Sequence, residues 1–344
     1  MLSLAHGRTS AALATAAGSA DGAVSGPPYG TSGSFVAGRS LPVVNPAKMD
    51  GPAAAGTLAV LSEVNAALGG TFQLVRLLQG GFQSGAWLIQ DHARHEAVLK
   101  WTPDRTWAEQ IQRASRAVAV VRRCGYPTPA WLAAGVTSSG SGYQVQEYVP
   151  GRPREHLSEE TARQAIELLE LQRDLDPHPG RSWSEYVSTK FRDEWLSTIS
   201  EVSATGAAGV ELAGHAVRLL SRYEVPVLPE ADLVHGDFRL GNILFDEDTV
   251  SGVIDIEALG SGTRAFDYAT LLDHETADDT AVELLVAAGS QVAGPAVLAY
   301  CLVHVVLDLA LFMHHSRLPA VTRQAERRTA ALSSRVQFVS RLLT

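Results

Sequence analysis

Cysteine is almost missing from this chain: there are two in 344 residues, Cys124 and Cys301, both in apolar surroundings and without metal-ligand spacing. That excludes a disulfide framework and a thiolate metal site, and it predicts two buried thiols in a reducing, cytoplasmic setting. An excess of positive charge is missing too. The formal net charge of -9 excludes general nucleic-acid binding, which needs a basic face. It suits a cationic partner, although mild acidity also serves solubility. No apolar run is clean enough to be read as a membrane span: the most apolar stretch, 296–313, carries His304 and Asp308 on one helical face and reads as a buried helix. His304, His314 and His315 find no third ligand at suitable spacing and read as core or surface histidines. The Ala run after Arg8 lacks the Leu-rich core of a secretory leader. Residues 1–56 are dominated by Ala, Gly, Ser and Pro without apolar periodicity. Such a segment cannot bury enough apolar area to offset its ordering entropy and is expected to be disordered.

What is present is concentrated in the run from Leu233 to Phe245, followed by Val253-Ile254-Asp255-Ile256-Glu257. It sets His235-Gly236-Asp237, then Asn242, then Asp255 between short apolar segments that read as buried strands, with Asp246-Glu247-Asp248 at a hairpin turn. Phosphoryl transfer needs this combination. Asp237 can orient an acceptor hydroxyl and take its proton. Asn242 and Asp255 offer hard oxygen ligands to Mg²⁺, which prefers a few such ligands together with nucleotide phosphates. An ordinary hairpin explains Asp and Asn in turns, but not a His-Gly before the first Asp and a second Asp after a strand. The chain is long for one hydrophobic core, and its 46% hydrophobic residues accommodate two lobes, expected over 57–149 and 150–344.

The His-Gly-Asp loop, the later Ile254-Asp255, and the downstream Gly260, Gly262 and Asp267-Tyr268-Ala269 resemble the signature of the aminoglycoside phosphotransferase family. The resemblance covers roughly Leu74 to Asp273. It implies a protein-kinase-like α+β fold, with a small antiparallel lobe carrying one helix and a larger, mainly helical lobe. It also implies ATP, with GTP left open, and Mg²⁺ as cofactors. In the small lobe, Gly80, Gly81 and Ser84 lie in a turn between apolar segments whose backbone N–H groups can approach phosphates. Lys100 ends the apolar run Ala97-Val98-Leu99 and resembles the lysine that contacts the α- and β-phosphates. Gln146, Tyr148 and Val149, before Pro150-Gly151, resemble the hinge whose backbone pairs with the purine.

The chain departs from the family in one place. The helix expected after Thr106 carries a single acid, Glu109, about a turn before the position near Ala114 where family members place the lysine's glutamate. Glu109 is a candidate partner for Lys100, and equally a solvated first-turn acid. From Arg154 onward the pattern is helical, with Ser158 as a cap before Glu159 and Glu160. Trp183, Tyr186, Phe191 and Trp195 recur at a spacing that fits core better than a substrate rim. Asp273, Glu275, Asp278 and Asp279 could attract a cationic acceptor or simply open a helix, and Asp273 and Glu275 are candidates either to meet the acceptor or to support the site from behind. Glu257 is a candidate acceptor contact or support for the metal site. The expectation is an enzyme that phosphorylates a hydroxyl of a small cationic molecule, foremost an antibiotic such as an aminoglycoside or a basic cyclic peptide. A kinase of choline, an amino alcohol or a sugar is the alternative, and a pseudokinase-like binding protein the other. Neither nucleic acid nor membrane is an expected partner.

Overall fold

The computed structural model describes residues 52–78, 85–316 and 318–343. Five antiparallel strands form the small lobe: β1 (Gln73–Leu78), β2 (Ala86–Gln90), β3 (Glu96–Thr102), β4 (Trp131–Val136) and β5 (Gly142–Glu147), in the order β1-β2-β3-β5-β4. Strand alternation divides the side chains of β3 between two faces. Ala97 and Leu99 pack with Ile89, Val145 and the helix α1 (Pro52–Leu68). Lys100 is directly opposite Gln144, and Val98 opposite Gln146, on the other face.

Helix α1 corrects two expectations. The small lobe has a second helix besides α2 (Arg105–Arg123), and residues 52–56 belong to it and not to a disordered extension. Its Pro-Ala-Ala-Ala start is a good helix opening but too uniform to mark an inward face. The anchoring is tertiary: Trp101 Nε1 donates to Thr57 Oγ1 at 3.0 Å, and Val60, Leu61 and Val64 bury against the sheet. Residues 1–51 lie outside the described residues.

Helix α2 crosses to the large lobe, with Ala114, Ala117, Val118 and Val121 entering its core. The crossing is close. A methyl group added at Gly142 would lie 2.6 Å from the Cα of Ala108, so Gly142→Ala is expected to lower stability by about 2 kcal/mol, measurable as a shifted urea midpoint. Cys124, at the end of α2, is exposed and only Cys301 is buried. The apolar neighbours of Cys124 in sequence turn inward with the helix while the cap itself faces water.

The large lobe comprises α3 (Glu159–Glu170), α4 (Trp183–Thr189), α5 (Trp195–Ala204), α6 (Ala207–Leu220), β6 (Asp232–Val234), β7 (Ile243–Asp246), β8 (Thr249–Val253), β9 (Gly260–Gly262), α7 (Ala265–Leu272), α8 (Asp279–Ala293), α9 (Pro295–His315), α10 (Pro319–Thr322) and α11 (Ala325–Leu342). Ser158 caps α3 by accepting the Thr161 N–H at 3.2 Å. Helix α9 is long and apolar enough by composition to cross a membrane, yet 78% of its most apolar window is buried among other helices. Of the aromatic series, Trp183 is core, while Phe191 and Trp195 line a shallow cavity of about 500 Å³ with Tyr300.

Candidate active site

Two short sheets hold the site. Strand β6 pairs with β9 and delivers His235-Gly236-Asp237, while the β7–β8 hairpin carries Asn242 at its entry and Asp255 just past its exit. The Ile254 N–H donates to the Asn242 carbonyl at 2.9 Å, which brings the two candidate metal ligands side by side.

The loop needs an unusual backbone at Gly236, where φ is 85°. A Cβ there would run into the indole of Trp183, so glycine is required on both counts. His235 is fully buried, and burial pushes its imidazole down to about 4, leaving it neutral. Its partners assign the tautomer: Nε2–H donates to the Ile254 carbonyl at 2.9 Å, and Nδ1 accepts the Asp237 N–H at 3.3 Å. Beneath the loop, Asp267 accepts N–H bonds from His235 at 2.6 Å and Gly236 at 3.0 Å, and from Gln172 Nε2 at 2.9 Å.

Asp237 is 6% exposed. Its Oδ1 accepts Arg239 Nε at 2.7 Å and its Oδ2 accepts Asn242 Nδ2 at 3.1 Å. Burial pushes its carboxyl up to about 6, against the opposing pull of the Arg239 guanidinium. Arg239 is itself held by Asp273, through Nη1 at 2.9 and 2.6 Å. Burial disfavours that cation, but Asp273 and Asp237 outweigh it and raise its pKa.

Asp255 sits in the left-handed region (φ 61°, ψ 38°) at the head of a 3₁₀ turn, Ile256–Ala258. Lys100 Nζ reaches across the cleft to both Asp255 and Glu257, the latter at 2.8 Å. Gln144 Nε2 donates to the same Glu257 oxygen. Burial alone would lower the lysine pKa, but the two carboxylates raise it. The donor set fits a divalent cation arriving with nucleotide. Asn242 spends its side-chain nitrogen on Asp237, leaving its side-chain oxygen Oδ1 free of protein hydrogen bonds among the described residues. Asp255 is the more exposed of the two acids near Lys100. No cluster of three or more His, Cys, Asp or Glu ligands occurs among the described residues, and Mg²⁺ in nucleotide sites needs only one or two carboxylates.

Lys100, Asp237, Asn242, Asp255 and Glu257 therefore converge. Gln146 is buried on β5, while Tyr148 and Val149 follow that strand, with Val149 packed beside Gly252 of β8. Gly80, Gly81 and Ser84 lie outside the described residues. Two readings are corrected. Glu109 is exposed on α2 and makes no ion pair with Lys100, because the inward face of α2 at that level is Ala108, Ile111 and Ala114. Asp273 is buried and committed to Arg239, so it loses the reading as an acceptor contact and keeps the one as a support of the site. Glu275 is paired with Arg327 at 2.5 Å on α11. If Asp273 acts through Arg239, Asp273→Asn should lower kcat by roughly 10- to 100-fold with acceptor KM little changed; a rise in acceptor KM alone would restore the substrate role. Sequence reasoning missed Arg239 and Gln144 as parts of the site, and it placed Asp267 in the family signature without giving it a role. Only Arg239, two residues after Asp237, had a local signal.

The profile of the phosphotransferase enzyme family matches residues 75–301. A comparison with curated protein sequences finds no match. Among solved structures, the chain is similar to a thermostable mutant of aminoglycoside phosphotransferase APH(4)-Ia in ternary complex with AMP-PNP and hygromycin B. The TM-score is 0.58 at 17% identity, covering 83% of this chain and 98% of that one. It is also similar to the GDP complex of aminoglycoside 2'-phosphotransferase-IIIa (TM-score 0.62, 14% identity, 83% and 99% covered). A third is macrolide 2'-phosphotransferase MphH from Brachybacterium faecium (TM-score 0.57, 16% identity, 79% and 97% covered). These likenesses bear out the two-lobe, protein-kinase-like fold.

Proposed function

We propose that this chain, which belongs to the phosphotransferase enzyme family, transfers the γ-phosphoryl group of ATP to a hydroxyl of a small cationic molecule, an antibiotic of the aminoglycoside type foremost. The observation that carries this reading is the arrangement at Asp237: a buried carboxylate held by Arg239 and Asn242, beside Asp255 and within the cleft that Lys100 spans. The net charge of -9 favours a cationic acceptor. Nucleotide analogues and hygromycin B in the similar structures lend support to both substrate classes.

Asp237 accepts the hydroxyl proton on its carboxylate as the acceptor oxygen bonds to the γ-phosphorus and the bond from that phosphorus to the departing ADP oxygen breaks. Arg239 and Asn242 fix the plane of that carboxylate, so the attacking oxygen is presented from one direction. Lys100 neutralises nucleotide phosphate charge from the small lobe. Mg²⁺, when bound by Asn242 and Asp255 together with phosphate oxygens, supplies electrostatic stabilisation of the transferring group. Asp267 holds the His235 and Gly236 amides, keeping the loop in place throughout.

The test is ATP turnover by the purified protein against aminoglycosides, tuberactinomycins, macrolides and simple amino alcohols, repeated with GTP. Acceptor-dependent turnover that vanishes in Asp237→Ala supports the reading. Turnover with an amino alcohol alone moves the function to a metabolite kinase, and nucleotide binding with no stimulation by any acceptor favours a binding protein.

A further inference from the structure

In a metal-loaded site two positive charges would converge on one carboxylate. Asp255 is the only carboxylate in the proposed metal pair with Asn242, and it also accepts Lys100. If Lys100 had no other acid, metal loading would strip the lysine of its counter-charge at the moment it must face the phosphates. The side chain of Lys100 is only 20% exposed, so water would compensate poorly. Helix α2 does not supply the missing acid: its single carboxylate, Glu109, is exposed, and the residues it turns inward are apolar.

We propose that Glu257 is the residue that positions Lys100 for nucleotide, leaving Asp255 free for the cation. The proposal rests on the phosphotransferase reading of the site. The side chain of Glu257 is 7% exposed, against 39% for Asp255. Asp255 can turn toward a ligand in the cleft; Glu257 is enclosed, and Lys100 and Gln144 meet on its Oε1. Gln144 lies directly opposite Lys100 on β5, so the strand that neighbours the lysine also holds the lysine's partner. Helix α2 packs against the 3₁₀ turn that carries Glu257, which puts the acid beside the helix without being part of it. An acceptor contact needs an open carboxylate, and Glu257 is not one.

The experiment is calorimetric titration of ADP, with and without Mg²⁺, into wild type, Glu257→Gln, Lys100→Met and the double variant, with Glu109→Gln for comparison. Glu257→Gln is expected to weaken MgADP about tenfold. The double variant should be no worse than the poorer single, because the two side chains act as one unit. Mg²⁺ should strengthen ADP binding less in Glu257→Gln than in wild type, since Lys100 then holds Asp255 alone. Glu257→Asp, which keeps the charge but is shorter, should fall between, and it serves if the glutamine variant does not fold. MgADP affinity within twofold of wild type in Glu257→Gln, multiplying losses in the double variant, or a tenfold loss in Glu109→Gln would overturn the proposal. A change confined to acceptor KM would do the same while leaving the phosphotransferase reading intact. Wild type that binds no MgADP overturns both.

Discussion

Asp237→Asn should lower kcat for acceptor phosphorylation by a factor on the order of 10² to 10⁴ while MgADP affinity stays within a few-fold. The amide keeps the size of the carboxylate and can still accept from Arg239 or Asn242, but it cannot take a proton from the attacking hydroxyl. The same group sets the pH dependence. Burial raises its carboxyl to about 6, so the reactive, ionised form is lost as pH falls through that value, and activity should decline below about pH 6. A bound divalent cation favours the carboxylate and moves the limb to lower pH. Rates measured from pH 5 to 9 at fixed Mg²⁺ and saturating nucleotide check both points. Asp237→Asn with wild-type kcat, or a rate that rises on acidification, would remove Asp237 as the base.

The second large effect is structural. Asp267→Ala leaves the N–H groups of His235 and Gly236 and the amide of Gln172 without their acceptor inside a closed core. At about 1–3 kcal/mol for each unsatisfied donor, relieved in part by rearrangement, the loss should be roughly 3–5 kcal/mol. It should appear as a lower urea midpoint together with loss of activity. An unchanged midpoint would mean that the loop is held by something else. The linkage has a definite sign. Burial raises the Asp267 carboxyl from 3.8 to about 7, despite the N–H donors. The folded state therefore binds the proton more tightly than the unfolded one, and this group's contribution to stability is greatest below about pH 4 and declines as pH rises toward 7. Asp267→Asn removes that contribution, so the difference in stability between wild type and variant should slope downward with pH across this window.

Much of the loop proposed to be catalytic was legible from residue order. A glycine that must adopt positive φ, an aspartate after it, an asparagine at a fixed step and an aspartate beyond a hairpin are local constraints, and the β7–β8 hairpin with its acidic turn forms where the apolar pattern indicates. The cap at Ser158 was legible for the same reason, since a cap and its N–H partner lie three residues apart. Helix α1 was not, because an Ala-rich segment has no apolar stripe until Trp101 and the sheet define one. The acid cluster after Leu272 was misleading: charge in a sequence does not distinguish a carboxylate that faces solvent from one that Arg239 holds inside.

The sequence by itself singled out Asp237, Asn242, Asp255 and Lys100, the residues proposed to bear the reaction, because each is tied to its neighbours by spacing or strand pattern. Tertiary structure alone decided which acids meet the lysine. Glu257 lies 157 residues away from Lys100, and an ion pair at that separation has no sequence period: it depends on where two lobes, folded around separate cores, bring their charged groups together across low-dielectric space.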